Sequence, residues 1–265
     1  MSCCCDPLAS AAVPASTLSD HEIAADVATR TGQLLVELRA KAGATPHDWW
    51  SLRDEGDWSA HRFIVEALAE LAPGDKVLSE EGIEDRSRLG AERVWIVDPL
   101  DGTREFGEPG RSDWAVHVAL VNGAGEPLAG AVALPAIGVT LASDPPPPPP
   151  EPHEGPLRVV VSRTRPPAAA LRIAEALEAD LVSMGSAGAK AMAVVLGEVD
   201  VYAHAGGQYE WDNCAPVAVA RAAGLHTSRI DGRPLVYNQS DPWLPDLLIC
   251  RPELADTAIG AVAGR

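Results

Sequence analysis

The residues best suited to chemistry are Asp98 and Asp101, two carboxylates three positions apart in Trp95-Ile96-Val97-Asp98-Pro99-Leu100-Asp101-Gly102-Thr103-Arg104-Glu105-Phe106. The apolar residues at the front, two of them β-branched, read as the end of a buried strand. Pro99 fixes a backbone angle, removes a donor and biases Asp98 towards extended geometry, so the strand is expected to end at Val97 in a stiff turn. Two ionised side chains on such a turn repel, and a hard divalent cation relieves the repulsion by taking them as oxygen ligands. Gly102 and Thr103 add backbone N–H groups and a hydroxyl where a helix can begin, a favourable place for a phosphate. An ordinary turn and helix cap would use the same residue types. A second carboxylate pair, Glu80-Glu81, follows another short apolar strand and favours chemistry.

The elements that must position these groups fill a chain of 265 residues, enough for one large α/β unit or two closely packed halves. A net charge of −17 leaves no basic excess for a nucleic-acid polymer or an anionic membrane. An acidic chain can still handle phosphate when bound cations invert the local sign. The five cysteines include the run Cys3–Cys5 and two isolated residues, Cys214 and Cys250, a pattern that fits a reducing cytoplasm. No signal peptide and no apolar run of membrane-spanning length is read.

Residues 1–18 carry no period and are expected to be a disordered tail. Ser19-Asp20-His21-Glu22 is a capping box opening an amphipathic helix that carries Ile23, Val27, Leu34, Leu35 and Leu38 to about Lys41, with Gly43 ending it. A loop holding Trp49, Trp50 and Leu52 leads to Asp57, which stands where the N-cap of a second helix belongs. Strands are expected at Val77–Ser79, Arg93–Val97, Trp114–Val121, Leu128–Leu134 and Gly138–Ala142, completing an N-terminal half over 19–144. His117, inside the most apolar of them, reads as a satisfied core histidine. Six consecutive prolines within 145–156 form an exposed connector.

The C-terminal half, 157–265, restarts with a strand at Leu157–Val161. Ser162-Arg163-Thr164-Arg165 at its end offers guanidinium and hydroxyl groups to a second phosphate. Gly185, Ser186 and Lys190 lie in a small-residue turn that suits either close approach of a ligand or a plain strand-to-helix connection. Glu210-Trp211-Asp212 leads into an Ala-rich helix, with Asp212 at an N-cap-like position. Asn238, Asp241 and Asp246 are polar loop residues without a chemical assignment, and a helix is expected beyond Glu253.

Taken together and in this order, Glu80-Glu81, Asp98-Pro99-Leu100-Asp101-Gly102-Thr103 and Glu210-Trp211-Asp212 resemble the lithium-sensitive, magnesium-dependent phosphatases of the inositol monophosphatase superfamily. Within it the chain is most similar to bacterial 3'(2'),5'-bisphosphate nucleotidases of the CysQ type. The resemblance spans about residues 20 to 252. It implies a layered αβαβα fold with two packed mixed sheets. It also implies two or three Mg²⁺ held by Glu80, Asp98, the Leu100 carbonyl, Asp101 and Asp212, with phosphate at Asp101, Gly102 and Thr103. Asp57, Thr103 and Glu80 would be catalytic, the first two orienting the attacking water. Ser162, Arg163, Gly185, Ser186, Lys190 and Glu210 would bind substrate. The implied reaction removes the 3'-phosphate of adenosine 3',5'-bisphosphate in support of sulfate assimilation. Hydrolysis of inositol 1-phosphate or fructose 1,6-bisphosphate, or a catalytically silent regulator, are the other readings. A small phosphorylated substrate is the implied partner, and homodimers are common among such proteins. Two departures stand out: Arg165 replaces a His of the family's Ser-Arg-Ser-His stretch, and the usual Lys-containing stretch ending in Pro-Val-Thr before Asp57 is missing.

Overall fold

The computed structural model describes residues 17–42, 49–152 and 154–263. Most of the tail, the Cys3–Cys5 run and Gly43 lie outside them. Two five-stranded sheets are built from alternating apolar strands. The first has the order β1(Lys76–Ser79)-β2(Arg93–Asp101)-β3(Ala115–Asn122)-β4(Pro127–Leu134)-β5(Val139–Ala142), with β1 and β2 parallel and the rest antiparallel. In the second, β6(Arg158–Ser162) lies parallel to both β7(Asp180–Met184) and β8(Val201–Tyr209). The order continues antiparallel from β8 to β10(Trp243–Cys250) and then β9(His226–Ser228).

Side-chain alternation sorts these residues into three cores. Trp95, Val97, Val116, Val118 and Leu120 face outward against α1(Asp20–Ala42) and α2(Trp49–Leu71). Val94, Ile96, Ala115, Ala119 and Val121 face the middle layer. There they meet α5(Ala187–Val195), α6(Glu210–Ala222) and the inner face of the second sheet, through Val160, Tyr202, Leu247 and Ile249. Val159, Val161, Val201, Ala203 and Leu248 pack outward on α4(Ala168–Ala176) and α7(Ala255–Ala263). The layers therefore run αβαβα, as the resemblance implies, and the middle layer is shared by both sheets. The capping box at Ser19 forms, with its backbone N–H donating to Glu22 Oε2 at 2.7 Å. No described helix is long and apolar enough to cross a membrane.

Two expectations are corrected. The stretch holding Trp49, Trp50 and Leu52 is the first turn of α2, so Asp57 lies inside a helix and caps nothing. No Pro or Gly interrupts 49–55, and buried Leu52 extends the apolar face formed by Gly56, Ala60 and Ile64. β2 does not stop at Val97 but runs through Pro99 to Asp101. Its register shifts on the way: Asp98 pairs with His117 and Asp101 with Ala115. Pro99 and Leu100 together oppose one residue, a β-bulge in which the missing proline N–H costs no ladder bond.

Candidate active site

The bulge has a chemical consequence. Residues three apart on a regular strand face opposite ways, but one extra residue returns Asp101 to the face that Asp98 occupies. Both side chains point into the middle layer, where Asp212, in the first turn of α6, meets them. Carboxylate oxygens of Asp98, Asp101 and Asp212 all lie within 4.8 Å of one another. Glu80 arrives at the end of β1, its backbone N–H donating to the Val97 carbonyl at 3.4 Å, beside Asp98. The residue is partly open to solvent, while its carboxyl interacts with those of Asp98, Asp101 and Asp212.

Each of these carboxyl groups is tuned differently. Asp98 is buried, and desolvation followed by repulsion from Glu80, Asp101 and Asp212 pushes its pKa well above the ordinary range. Desolvation and repulsion from Asp212, Asp101 and Glu81 raise Glu80 to about 7 against a contact with Asp98 that lowers it, and desolvation with Asp101 raises Asp212 to about 6. Asp101 goes the other way: burial opposes ionisation, yet His117, Lys190 and Ser186 together hold its carboxyl below the usual range. Its Oδ1 accepts from the Ala187 N–H at 3.0 Å, and its Oδ2 from the Gly188 N–H at 2.6 Å and the Ser186 hydroxyl at 2.5 Å. The N-terminus of α5 thus grips this carboxylate. Ser186 adopts the left-handed φ of 46° to make that contact and also caps α5 through the Ala189 N–H. Asp212 Oδ2 accepts from the Tyr209 N–H at 2.6 Å, so Asp212 sits three residues inside the helix instead of at its N-cap.

On the sheet's other side, Gly56 lets α2 approach β2. A Cβ there would come within 2.8 Å of Phe106 and 2.9 Å of Leu100. The close approach brings the next residue, Asp57, to the turn after β2, where the Thr103 hydroxyl lies 3.2 Å from Asp57 Oδ1 and 3.1 Å from the Leu100 carbonyl. Burial, with Glu81 nearby, raises Asp57 to about 7, while the Thr103 contact opposes the rise. Gly102, at φ 84°, turns the chain into α3(Thr103–Phe106); a Cβ there would press on Ser186 and the Asp113 carbonyl.

Asp98, Asp101 and Asp212 therefore come together with Glu80 beside them, and Asp57 meets Thr103 at the turn after β2, while several residues named for substrate binding are held by other partners. Arg163 donates to Glu105 at 2.6 Å and Glu108 at 2.7 Å. Gly185 spends its N–H on Asp113 at 2.6 Å, and its lack of a side chain makes room for Glu105. Ser162 shares its hydroxyl with Thr164 at 3.3 Å. Lys190 is buried and donates to the carbonyls of Gly185 and Ser186, with burial lowering its pKa. It braces the turn that holds Asp101. Glu210 is buried too and accepts from the Asn238 N–H at 2.7 Å and the Gln239 N–H at 2.8 Å. That loop is clasped to Arg88, which donates to Asn238 Oδ1 at 2.7 Å. Asn238, unassigned from sequence, is part of this clasp, and Asp246 accepts from Arg229 at 2.7 and 2.8 Å.

Sequence reasoning passed over His117. The side chain is fully buried, as read, but not fully satisfied: Nδ1 bonds Trp211 O at 3.0 Å, while Nε2 makes no hydrogen bond among the described residues and lies 3.3 Å from Asp101 Oδ2. A polar residue at an inward position of an otherwise apolar strand was the available signal.

A model of the inositol monophosphatase family matches residues 22–144 and 154–262. The 3'-phosphoadenosine 5'-phosphate phosphatase of Mycobacterium bovis is 53% identical over 239 residues, 88% of this chain and 89% of the relative. The 3'(2'),5'-bisphosphate nucleotidase CysQ of Escherichia coli K12 is 32% identical over 222 residues, covering 76% and 88%. The crystal structure of CysQ from Bacteroides thetaiotaomicron, a bacterial member of the inositol monophosphatase family, matches with a TM-score of 0.73. Its identity is 27%, with 88% of this chain and 97% of that one covered.

Proposed function

The chain belongs to the inositol monophosphatase family, and on that premise we propose that it is a Mg²⁺-dependent phosphatase. It removes the 3'-phosphate of adenosine 3',5'-bisphosphate, leaving AMP and phosphate. The observation that carries the chemistry is the convergence of Asp98, Asp101 and Asp212 within 4.8 Å. The substrate follows from the relative 53% identical over most of the chain.

The donor set fits Mg²⁺. It is all oxygen, it comes from separate elements of both sheets' layers, and burial with mutual repulsion makes Asp98 and Glu80 resist ionising beside their neighbours. Glu80, Asp98, Asp101, Asp212 and the Leu100 carbonyl would hold the ions. Bound there, Mg²⁺ supplies Lewis acidity that activates water and neutralises charge developing on the phosphoryl and leaving oxygens. The chain's own residues do the rest. Asp57, raised to about 7, is poised to take a proton from the attacking water near neutral pH. The Thr103 hydroxyl, placed between Asp57 and the Leu100 carbonyl, orients that water. No side-chain nucleophile is required, and positioning does most of the work.

Arg163, held by Glu105 and by the part-exposed Glu108, would take a second phosphate only by exchanging Glu108 for it. Such a substrate supports a role in sulfate assimilation. The test is Mg²⁺-dependent phosphate release from adenosine 3',5'-bisphosphate, inositol 1-phosphate and fructose 1,6-bisphosphate, compared by kcat/KM with and without lithium. A nucleotide preference suppressed by lithium is expected. A preference for either sugar phosphate would overturn the substrate assignment and leave the metal chemistry standing.

A further inference from the structure

We propose that His117 is a positioning residue that locks the metal ligand Asp101 to the helix carrying Asp212, and so sets the spacing of the cation site. The inference rests on the metal reading of the site given above.

The ligands Asp101 and Asp212 come from separate elements, the bulged end of β2 and the first turn of α6. Their separation must be fixed by something that touches both. His117 sits on β3 directly opposite Asp98, facing the middle layer, and none of it is exposed. Its ring spans the gap between sheet and helices. Nδ1–H donates to the carbonyl of Trp211, the residue immediately before Asp212, at 3.0 Å. Nε2 faces Asp101 Oδ2 at 3.3 Å. The Nδ1 bond holds the ring in place, and Nε2, without a hydrogen-bond partner among the described residues, is left against the Asp101 carboxylate. The carboxylate's donors, the Ser186 hydroxyl and the N–H groups of Ala187 and Gly188, all come from the start of α5. His117 adds the link to α6.

The third element at this junction is shaped for the ring. A Cβ on Gly188 would overlap Nε2 of His117, so glycine is the residue that lets α5 and the imidazole reach Asp101 together. A polar partner buried behind a metal-ligating carboxylate orients it, and loss of such partners typically weakens metal affinity by about 10- to 100-fold.

The two ring nitrogens can be tested separately in the full chain. His117→Asn keeps a donor near the Nδ1 position and the Trp211 contact but cannot reach Asp101. His117→Gln keeps a donor near the Nε2 position and the Asp101 contact. Mg²⁺ binding is measured by calorimetry, with thermal unfolding in EDTA as a separate readout of the fold. Each variant releases one end of the ring, so both are expected to weaken Mg²⁺ binding, H117N by about 10-fold or more, while unfolding in EDTA like the wild type. H117N that unfolds like the wild type yet binds Mg²⁺ within twofold of it would overturn the proposal. So would losses of Mg²⁺ affinity that come only with a matching loss of stability in EDTA, since that pattern marks a packing role alone. Should H117N not fold, H117Q decides by itself: weakened Mg²⁺ affinity in a variant as stable as the wild type in EDTA supports the link, and near wild-type affinity refutes it. Asp101→Asn separates the two levels of the argument. Undiminished Mg²⁺ binding in D101N would bring down the metal reading along with this proposal, whereas a defect in D101N but none in H117N removes only the role of His117.

Discussion

Replacing Glu210 by Gln should destabilise the protein and leave its catalysis nearly intact. Both carboxylate oxygens of Glu210 are occupied, by the Asn238 N–H at 2.7 Å and the Gln239 N–H at 2.8 Å. A glutamine presents one oxygen and one NH₂ group in the same space, so one part-buried backbone donor faces another donor. An unsatisfied buried donor costs about 1–3 kcal/mol. Relief of the desolvation that raises Glu210 to about 7 returns part of this, leaving a net loss on the order of 1–2 kcal/mol. The loop it holds includes Asn238 at a positive φ of 56°, which the clasp with Arg88 helps to maintain. For a chain of this size such a loss lowers Tm by roughly 2–8 °C. Urea unfolding and thermal scans measure it, alongside kcat/KM with adenosine 3',5'-bisphosphate. Unchanged stability combined with a large loss of kcat/KM would refute the reasoning and restore Glu210 to the substrate.

Two other outcomes follow from the same structure. Asp57, Glu80 and Glu210 at about 7 and Asp212 at about 6 all have folded-state pKa values above those of an unfolded chain, near 4. The folded state then binds more protons between about pH 4 and 7, so the stability these groups contribute is present at low pH and lost as pH rises through 6 to 7. In EDTA, Tm should fall from pH 5 to pH 8, and Mg²⁺ should raise it most at pH 8; a Tm that climbs over that range without metal would contradict the assignment. Asp57→Asn should lower kcat by about 10²- to 10⁴-fold and abolish the acid limb of the rate profile while the fold persists. A profile whose acid limb survives that substitution would remove Asp57 as the base.

How far the sequence carried the interpretation depended on the range of the interactions involved. Strands and helices follow from local apolar patterns, the αβαβα layering is what the family resemblance implies, and the carboxylates at 80, 98, 101 and 212 stand in recognisable motifs. The bulge at Pro99 was not legible, because two alternatives, ending the strand or absorbing one residue, satisfy the same local chemistry. Pairing with β3 decides between them, through His117 and Ala115. Asp57 has the residue type of a cap, yet Leu52 and Gly56 extend its helix backwards by packing against the sheet. Charged residues near the site were the hardest to place. Arg163, Lys190 and Glu210 are suited by type to grip a substrate, but partners far away in the chain claim them: Glu105 and Glu108, the Gly185 and Ser186 carbonyls, and the loop at 238–239. His117 shows the converse, a core residue by pattern whose partner proves to be a site carboxylate.

The most direct measurement is phosphate release from adenosine 3',5'-bisphosphate across a Mg²⁺ titration, by the wild type and by Asp98→Asn side by side, with circular dichroism confirming the fold. Turnover should rise from background with Mg²⁺ and fall on the order of 10³-fold or more in the variant. Full turnover in excess EDTA, or near-normal rates from folded Asp98→Asn, would contradict a metal centre built on these carboxylates.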